Sequence, residues 1–212
     1  PEVKCGKDMD IHGDHAVMCG CGPARTARHD SVNKVWAYIL TLAVYHCTIE
    51  SFTDPHSARR SADTLVDNWQ YGKQSAHDWV ITHIRLGNRA VYNNDPNSRT
   101  AEAEEHKNSY SKKRCEDRGI NFLPLAIDTF GGYGEAAESA FDKVSNEHRL
   151  TRGKDKHYSM AQIIKKLQMA VMRGVARQLL RRQTFNDNVE EVEEEVDMGG
   201  WRRGGRGRGG AD

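Results

Sequence analysis

At 212 residues, with 37% hydrophobic and 29% charged side chains, the chain suits one domain of roughly 150 residues with appendages. No apolar run approaches the ~20 residues of a transmembrane helix, so no membrane partner is expected. The net charge of +1 hides segregation: residues Glu190 to Asp197 are acidic, and Trp201 to Gly210 carries four arginines among glycines.

The N-terminus is charged and polar, which argues against a secretory leader. Opening at Pro1 rather than methionine predicts the C-terminal piece of a longer product. Five cysteines (5, 19, 21, 47 and 115) suit a reducing, intracellular compartment better than a disulfide scaffold, because an odd count cannot pair fully. Cys5, His12, His15, Cys19 and Cys21 concentrate thiols and imidazoles within residues 1–25, a small module that points to structural Zn²⁺.

Arg28 to Cys47 is expected to be a helix, with Val32, Val35, Trp36, Ile39, Leu42 and Ala43 at 3.6-type spacing. At its start, Asp30 suits an N-cap, and His29 and Asp30 also stand where an acid or base can face a site. Thr48 to Phe52 is expected as a short strand, ended by Asp54-Pro55. Two further strands follow, at Asp63-Thr64-Leu65-Val66 and at Asp78 to Ile84, each with an aspartate at its edge. The polar, Gly-containing stretch Asn68 to Lys73 between them is expected to be the hairpin turn. Ser98 or Thr100 can cap a helix that runs to about Arg118 and stops at Gly119. Ile120 to Ile127 is another strand, which Pro124 makes irregular or places at an edge. A turn at Gly131 to Gly134 leads to a helix over Glu135 to His148, then a basic amphipathic helix over about Ser159 to Arg182. From Thr184 onward little apolar surface is available to offset chain entropy, and disorder is expected.

Two adjacent antiparallel strands bring the carboxylates of Asp63 and Asp78 to one point, the hard oxygen pair that Mg²⁺ or Mn²⁺ needs when it must also hold water and phosphate. Glu50 is a candidate third carboxylate. A metal-dependent nuclease also needs a cation beside the attacking water. The usual position two residues after the second acid is Val80, and Lys107 on the next helix is the substitute. The α-β-β-β-α-β order is that of the restriction-like nuclease core.

Four blocks occur in order: Cys5 to Asp10 through Gly13-Asp14-His15-Ala16 to Cys19; Arg28-His29-Asp30; Arg60-Ser61-Ala62-Asp63 with Asp78; and Ala101 to Tyr110 followed by Phe122-Leu123-Pro124-Leu125. Together with the closing block Leu167 to Arg182, they resemble the C-terminal restriction-like endonuclease region of site-specific non-LTR retrotransposons. The resemblance implies a restriction-endonuclease-like (PD-(D/E)XK) α/β core over 26–130, a zinc knuckle over 1–25, a helical extension over 131–183 and a tail over 184–212. It implies that Asp63 and Asp78 bind a catalytic metal and that Lys107 assists the nucleophile. The activity implied is nicking of target DNA in the nucleus, so that the new 3′ end primes an upstream reverse transcriptase, fused or associated. Ser61 stands where the motif often has proline. In the knuckle, Cys5, His15 and Cys19 match, and the remaining ligand is His12, Cys21 or a residue before Pro1.

Cations on the last helix, including Arg173, Arg177 and Arg181, are placed to meet phosphates, and Arg60 flanks the first aspartate. Arg202, Arg203, Arg206 and Arg208 form an Arg/Gly segment of the kind that binds RNA or single strands by charge and guanidinium stacking. The competing class is a non-catalytic nucleic-acid-binding protein that keeps the zinc module, basic helix and tail.

Overall fold

The computed structural model describes residues 5, 7, 10–49, 62–84 and 97–180. The chain divides into two units, Pro1–Arg182 and Gln183–Asp212, and the described residues all belong to the first. Glu50, Arg60, Arg181, Arg202, Arg203, Arg206 and Arg208 lie outside the described residues, as does the expected disordered tail.

The architecture is mixed α/β: a four-stranded mixed sheet with helices on both faces and a C-terminal helical pair. In chain order the elements are α1 (Asp14–Met18), α2 (Ala24–Leu42), β1 (Cys47–Ile49), β2 (Thr64–Gln70), β3 (Lys73–Thr82), α3 (Ser98–Lys107), α4 (Lys113–Glu116), β4 (Asn121–Asp128), α5 (Glu135–Arg152) and α6 (Lys156–Leu180). A π-helical turn, Asn108–Lys112, joins α3 to α4. Strands lie in the order β1-β2-β3-β4; β1, β2 and β3 pair antiparallel, and β4 lies parallel to β3. Parallel pairing requires a crossover, and α3–α4 supply it. Pro124 sits on an edge strand, where its missing N–H costs no ladder bond.

Several boundaries differ from expectation. The hairpin strand continues through Asn68-Trp69-Gln70, and the turn is only Tyr71-Gly72, with φ of 52° and 73° between the paired Gln70 and Lys73. Two successive positive φ angles define the tight turn whose twist matches the flanking strands. The ladder is irregular between Val66 and Gln70, and Asn68 there also has φ 52°. That bulge lets Trp69 turn into the core, where it is 6% exposed. Helix α2 begins at Ala24, so Asp30 lies inside it and is not its cap. Asn97, rather than Ser98 or Thr100, is the N-cap residue of α3. Helix α5 runs four residues beyond His148 and stops at Gly153, whose φ of 60° only glycine adopts cheaply. On α6, Ile163, Leu167 and Val171 are buried as expected, whereas Leu179 and Leu180 are exposed.

Period-two alternation sorts the sheet's side chains. Val66, Trp69, Trp79, Ile81, Leu125 and Ile127 face α2, α5 and α6 in the main core. Leu65, Ala76 and Phe122 face the other way, beside Cys115 of α4 and Ile120 in a smaller cluster. Trp36 anchors the main core, with Trp79 and Phe141 at ring-centroid distances of 5.8 and 5.6 Å. Its indole N–H donates to His77 Nδ1 at 3.0 Å. Complete burial pushes His77 down to about 3, so it is a neutral core histidine. Glycines allow two close approaches. A Cβ on Gly174 of α6 would lie 2.4 Å from Arg28 Cγ on α2, and one on Gly134 would lie 2.1 Å from Glu104 Oε1. Glu104 in turn accepts from the backbone N–H groups of Ala126 at 3.4 Å and Ala136 at 3.3 Å, tying α3 to β4 and to the start of α5.

Candidate functional site

Asp63 immediately precedes β2, and its backbone N–H donates to the His77 carbonyl at 3.1 Å. Thr64 pairs with His77 across the ladder, so the same register carried back one residue sets Asp63 opposite Asp78. Asp78 lies within β3 rather than at its edge. Alternation sends His77 and Trp79 into the helix core and Asp78 to the opposite face, toward α3 and α4. There Lys107 Nζ donates to Asp78 Oδ1 at 2.8 Å. Lys107 is the last residue of α3, and the π turn follows it directly. Turns of this kind recur at functional positions because they re-aim side chains within a helix.

The electrostatics of the pair are asymmetric. Asp78 is 8% exposed, and burial pushes its carboxyl up to about 6; Lys107 works against that rise and the neighbouring Asp63 charge adds to it. Burial raises Asp63 too. The hydrogen bond and charge of His29 overcome it, with help from the Trp79 N–H at 2.7 Å, so the Asp63 carboxyl is lowered. His29 Nε2 lies 3.0 Å from Asp63 Oδ2 and 3.2 Å from the Trp79 carbonyl. For His29 itself burial favours the neutral ring, but Asp63 prevails and the imidazole is raised above its ordinary value. The two carboxylates therefore hold opposite tendencies: Asp63 ionises readily and Asp78 resists.

Asn33 completes this end of the sheet. Its Nδ2 donates to the Asp63 carbonyl at 2.9 Å, and its Oδ1 accepts from the Thr64 hydroxyl. This residue was missed from sequence. Its signal was a polar side chain on the buried stripe of α2, between Val32 and Trp36. His29 was noted only as a residue able to face a site, and the structure puts it on Asp63.

A second group forms at the N-terminus. Cys5 Sγ lies 3.2 Å from His15 Nε2 and 3.2 Å from Cys19 Sγ, so the three can hold a metal ion. Hydrogen bonds to Cys19 and Cys5 raise the Cys21 thiol, which places it beside the group. His12 is exposed and stands outside it; its backbone N–H donates to Asp10 Oδ1 at 3.0 Å. Asp10 also accepts from the Asp14 and His15 N–H groups, which lower its carboxyl to about 2 and fix the turn into α1. The module is fastened to the helices: Arg28 donates to the Val17 carbonyl at 3.1 Å, and Gln178 Nε2 to the Cys19 carbonyl at 3.3 Å. His83, just beyond β3, reaches Asp14 Oδ1 at 3.0 Å and Thr129 at 2.5 Å.

Among the basic residues, Arg173 and Arg177 are exposed on α6. No helix among the described residues is long and apolar enough to cross a membrane. A cleft of about 610 Å³ at the hairpin end of the sheet, lined by Tyr45, Asp67 and Tyr71 among others, includes none of the carboxylate-site residues. No protein-family model matches the chain, and no curated protein is similar to it at a significant level.

Proposed function

We propose that the chain is a divalent-metal-dependent endodeoxyribonuclease with a restriction-like (PD-(D/E)XK) core, of the kind carried by non-LTR retroelements. The observation that carries this reading is the meeting of Lys107 Nζ with Asp78 Oδ1 at 2.8 Å, on the face where the strand register also sets Asp63. The α-β-β-β-α-β order with a parallel last strand is consistent with it.

The donor set fits a hard divalent cation. Two carboxylates are held together, and one resists ionisation because it is buried beside the other's charge. Mg²⁺ or Mn²⁺ held by Asp63 and Asp78 would relieve that repulsion, polarise a phosphodiester and lower the pKa of a bound water. The remaining work belongs to the chain. Lys107 supplies a fixed positive charge where negative charge develops on phosphorus, and its amine orients the attacking water. His29 and the Trp79 N–H hold Asp63 ionised and aimed. Asn33 fixes the backbone that carries it.

Zn²⁺ is the ion that best suits Cys5, His15 and Cys19; Cys21, which lies outside that group of three but whose thiol interacts with Cys19 and Cys5, is the candidate fourth ligand. Bond lengths near 2.3 Å to sulfur and 2.0–2.1 Å to nitrogen put tetrahedral ligands about 3.5–3.8 Å apart, slightly wider than the 3.2 Å separations found here. Target DNA in the nucleus and an upstream reverse transcriptase are the partners this reading implies, with RNA a further partner through the Arg/Gly segment.

The test is nicking of supercoiled plasmid in Mg²⁺ or Mn²⁺ by wild type and Asp78→Ala. Metal-dependent nicking that disappears in the variant supports the reading. Binding without nicking in both points to the non-catalytic nucleic-acid-binding class.

A further inference from the structure

We infer that a cleft between α2, the end of α5 and the start of α6 binds single-stranded nucleic acid, one base on its apolar floor and the flanking phosphates on its cationic rim. The inference is independent of the carboxylate site. The cleft measures about 190 Å³, and Ile39, Leu42 and Ile163 line its floor. Tyr158, 58% exposed, supplies a ring at its wall. Arg152, Lys154 and Lys166 stand around the mouth, and the lining contains no aspartate or glutamate. Among the described residues these three cations form no ion pair. Asp155, in the turn between α5 and α6, accepts the Tyr158 N–H at 2.7 Å, and Asp142 on α5 pairs with Lys156 at 2.6 Å. Lys166 also lies 5.8 Å from the ring of Tyr38, itself 55% exposed, so a second aromatic flanks the mouth.

Apolar floor, exposed rings and unpaired cations together decide the class of ligand. A cationic rim alone would suit any polyanion. An apolar floor with exposed aromatic rings suits a partner that is both anionic and carries an accessible π-face, which unpaired bases on a phosphodiester strand provide. Duplex DNA hides those faces in its stack and would meet only the rim. The left-handed Gly153 ends α5 between Arg152 and Lys154, which puts these two cations on successive sides of the chain reversal.

The experiment uses the full chain and a single-stranded oligodeoxynucleotide carrying 5-iodouracil, photo-crosslinked and mapped by mass spectrometry. Adducts are expected at Tyr158. The exposed triple substitution Arg152→Gln, Lys154→Gln, Lys166→Gln should lower the Tyr158 adduct at least tenfold while adducts in the Arg/Gly segment persist. Each phosphate contact in a single strand contributes about 0.7 to the slope of log K against log salt, so the triple variant should flatten that slope by roughly 2. An unchanged Tyr158 adduct in the triple variant, or adducts only elsewhere, overturns the inference. So does equal displacement by a duplex of the same length or by a poly-glutamate peptide, since either would show a surface that recognises charge alone.

Discussion

Asp78→Asn should stabilise the folded chain at neutral pH while removing the charge that the proposed chemistry needs. The Asp78 carboxyl is raised from 3.8 to about 6, chiefly by burial. A raised carboxyl binds its proton more tightly in the folded state than in the unfolded one, so ionising it opposes folding. The cost is absent below pH 3.8, grows between 3.8 and about 6, and is complete above that. Converting the interval between those two values gives about 3 kcal/mol. That interval already contains the pull of Lys107 on the carboxylate; the amide N–H₂ that replaces one carboxylate oxygen is a buried donor, which gives back about 1–2 kcal/mol. The net expectation is a gain of about 1–2 kcal/mol at pH 7.5, or roughly 2–8 °C in Tm for a domain of this size. Urea melts of both proteins at pH 7.5 and pH 4.5, without added metal, are the assay. The gain should shrink to near zero at pH 4.5, where wild-type Asp78 is protonated. A variant less stable than wild type at pH 7.5, or a gain that does not depend on pH, would refute the reasoning. A group whose removal strengthens the fold is the kind that function retains against stability.

Lys107→Met should cut plasmid nicking by about 100-fold or more, the loss typical of one fixed electrostatic stabiliser, with far-ultraviolet circular dichroism unchanged; nicking within a few-fold of wild type would remove Lys107 from the chemistry. Gly174→Ala should cost about 1–2 kcal/mol in urea melts, because overpacking against Arg28 Cγ at 2.4 Å outweighs alanine's helix preference of about 1 kcal/mol. Removing metal with a chelator, or substituting Cys19→Ser, should lower Tm by several degrees, since Arg28 and Gln178 bond to carbonyls of that module and lose fixed partners when it loosens; identical melts with and without chelator would show that the module carries no stabilising ion.

The strand pair was legible because each aspartate borders an apolar run and the register between them is set by period-two burial. Gly119 and Pro124 were also legible, since each imposes a backbone constraint that survives any tertiary context: a left-handed helix stop and an edge strand. The extent of the hairpin was not. Asn68-Trp69-Gln70 is a polar stretch in sequence, and only the bulge at Asn68 turns Trp69 into the core. The first turn of α2 lacks apolar periodicity, so its start at Ala24 was invisible, and with it the fact that Asp30 caps nothing. Lys107 could be nominated but not placed. Its reach to Asp78 depends on how α3 crosses the sheet and on the π turn that follows, and neither leaves a pattern in local composition. The role of His29 is likewise a tertiary fact: it sits far from Asp63 in sequence, and α2 and the sheet must pack before its ring meets the carboxylate.

The measurement closest to the central claim is electron paramagnetic resonance of Mn²⁺ added to the zinc-loaded chain, comparing wild type with Asp63→Asn and Asp78→Asn. The account predicts a bound Mn²⁺ population in wild type that disappears in either variant, while the zinc content of the Cys5–His15–Cys19 module stays the same. Bound Mn²⁺ that persists in both variants, or wild-type protein that leaves all Mn²⁺ free at millimolar concentration, would contradict it.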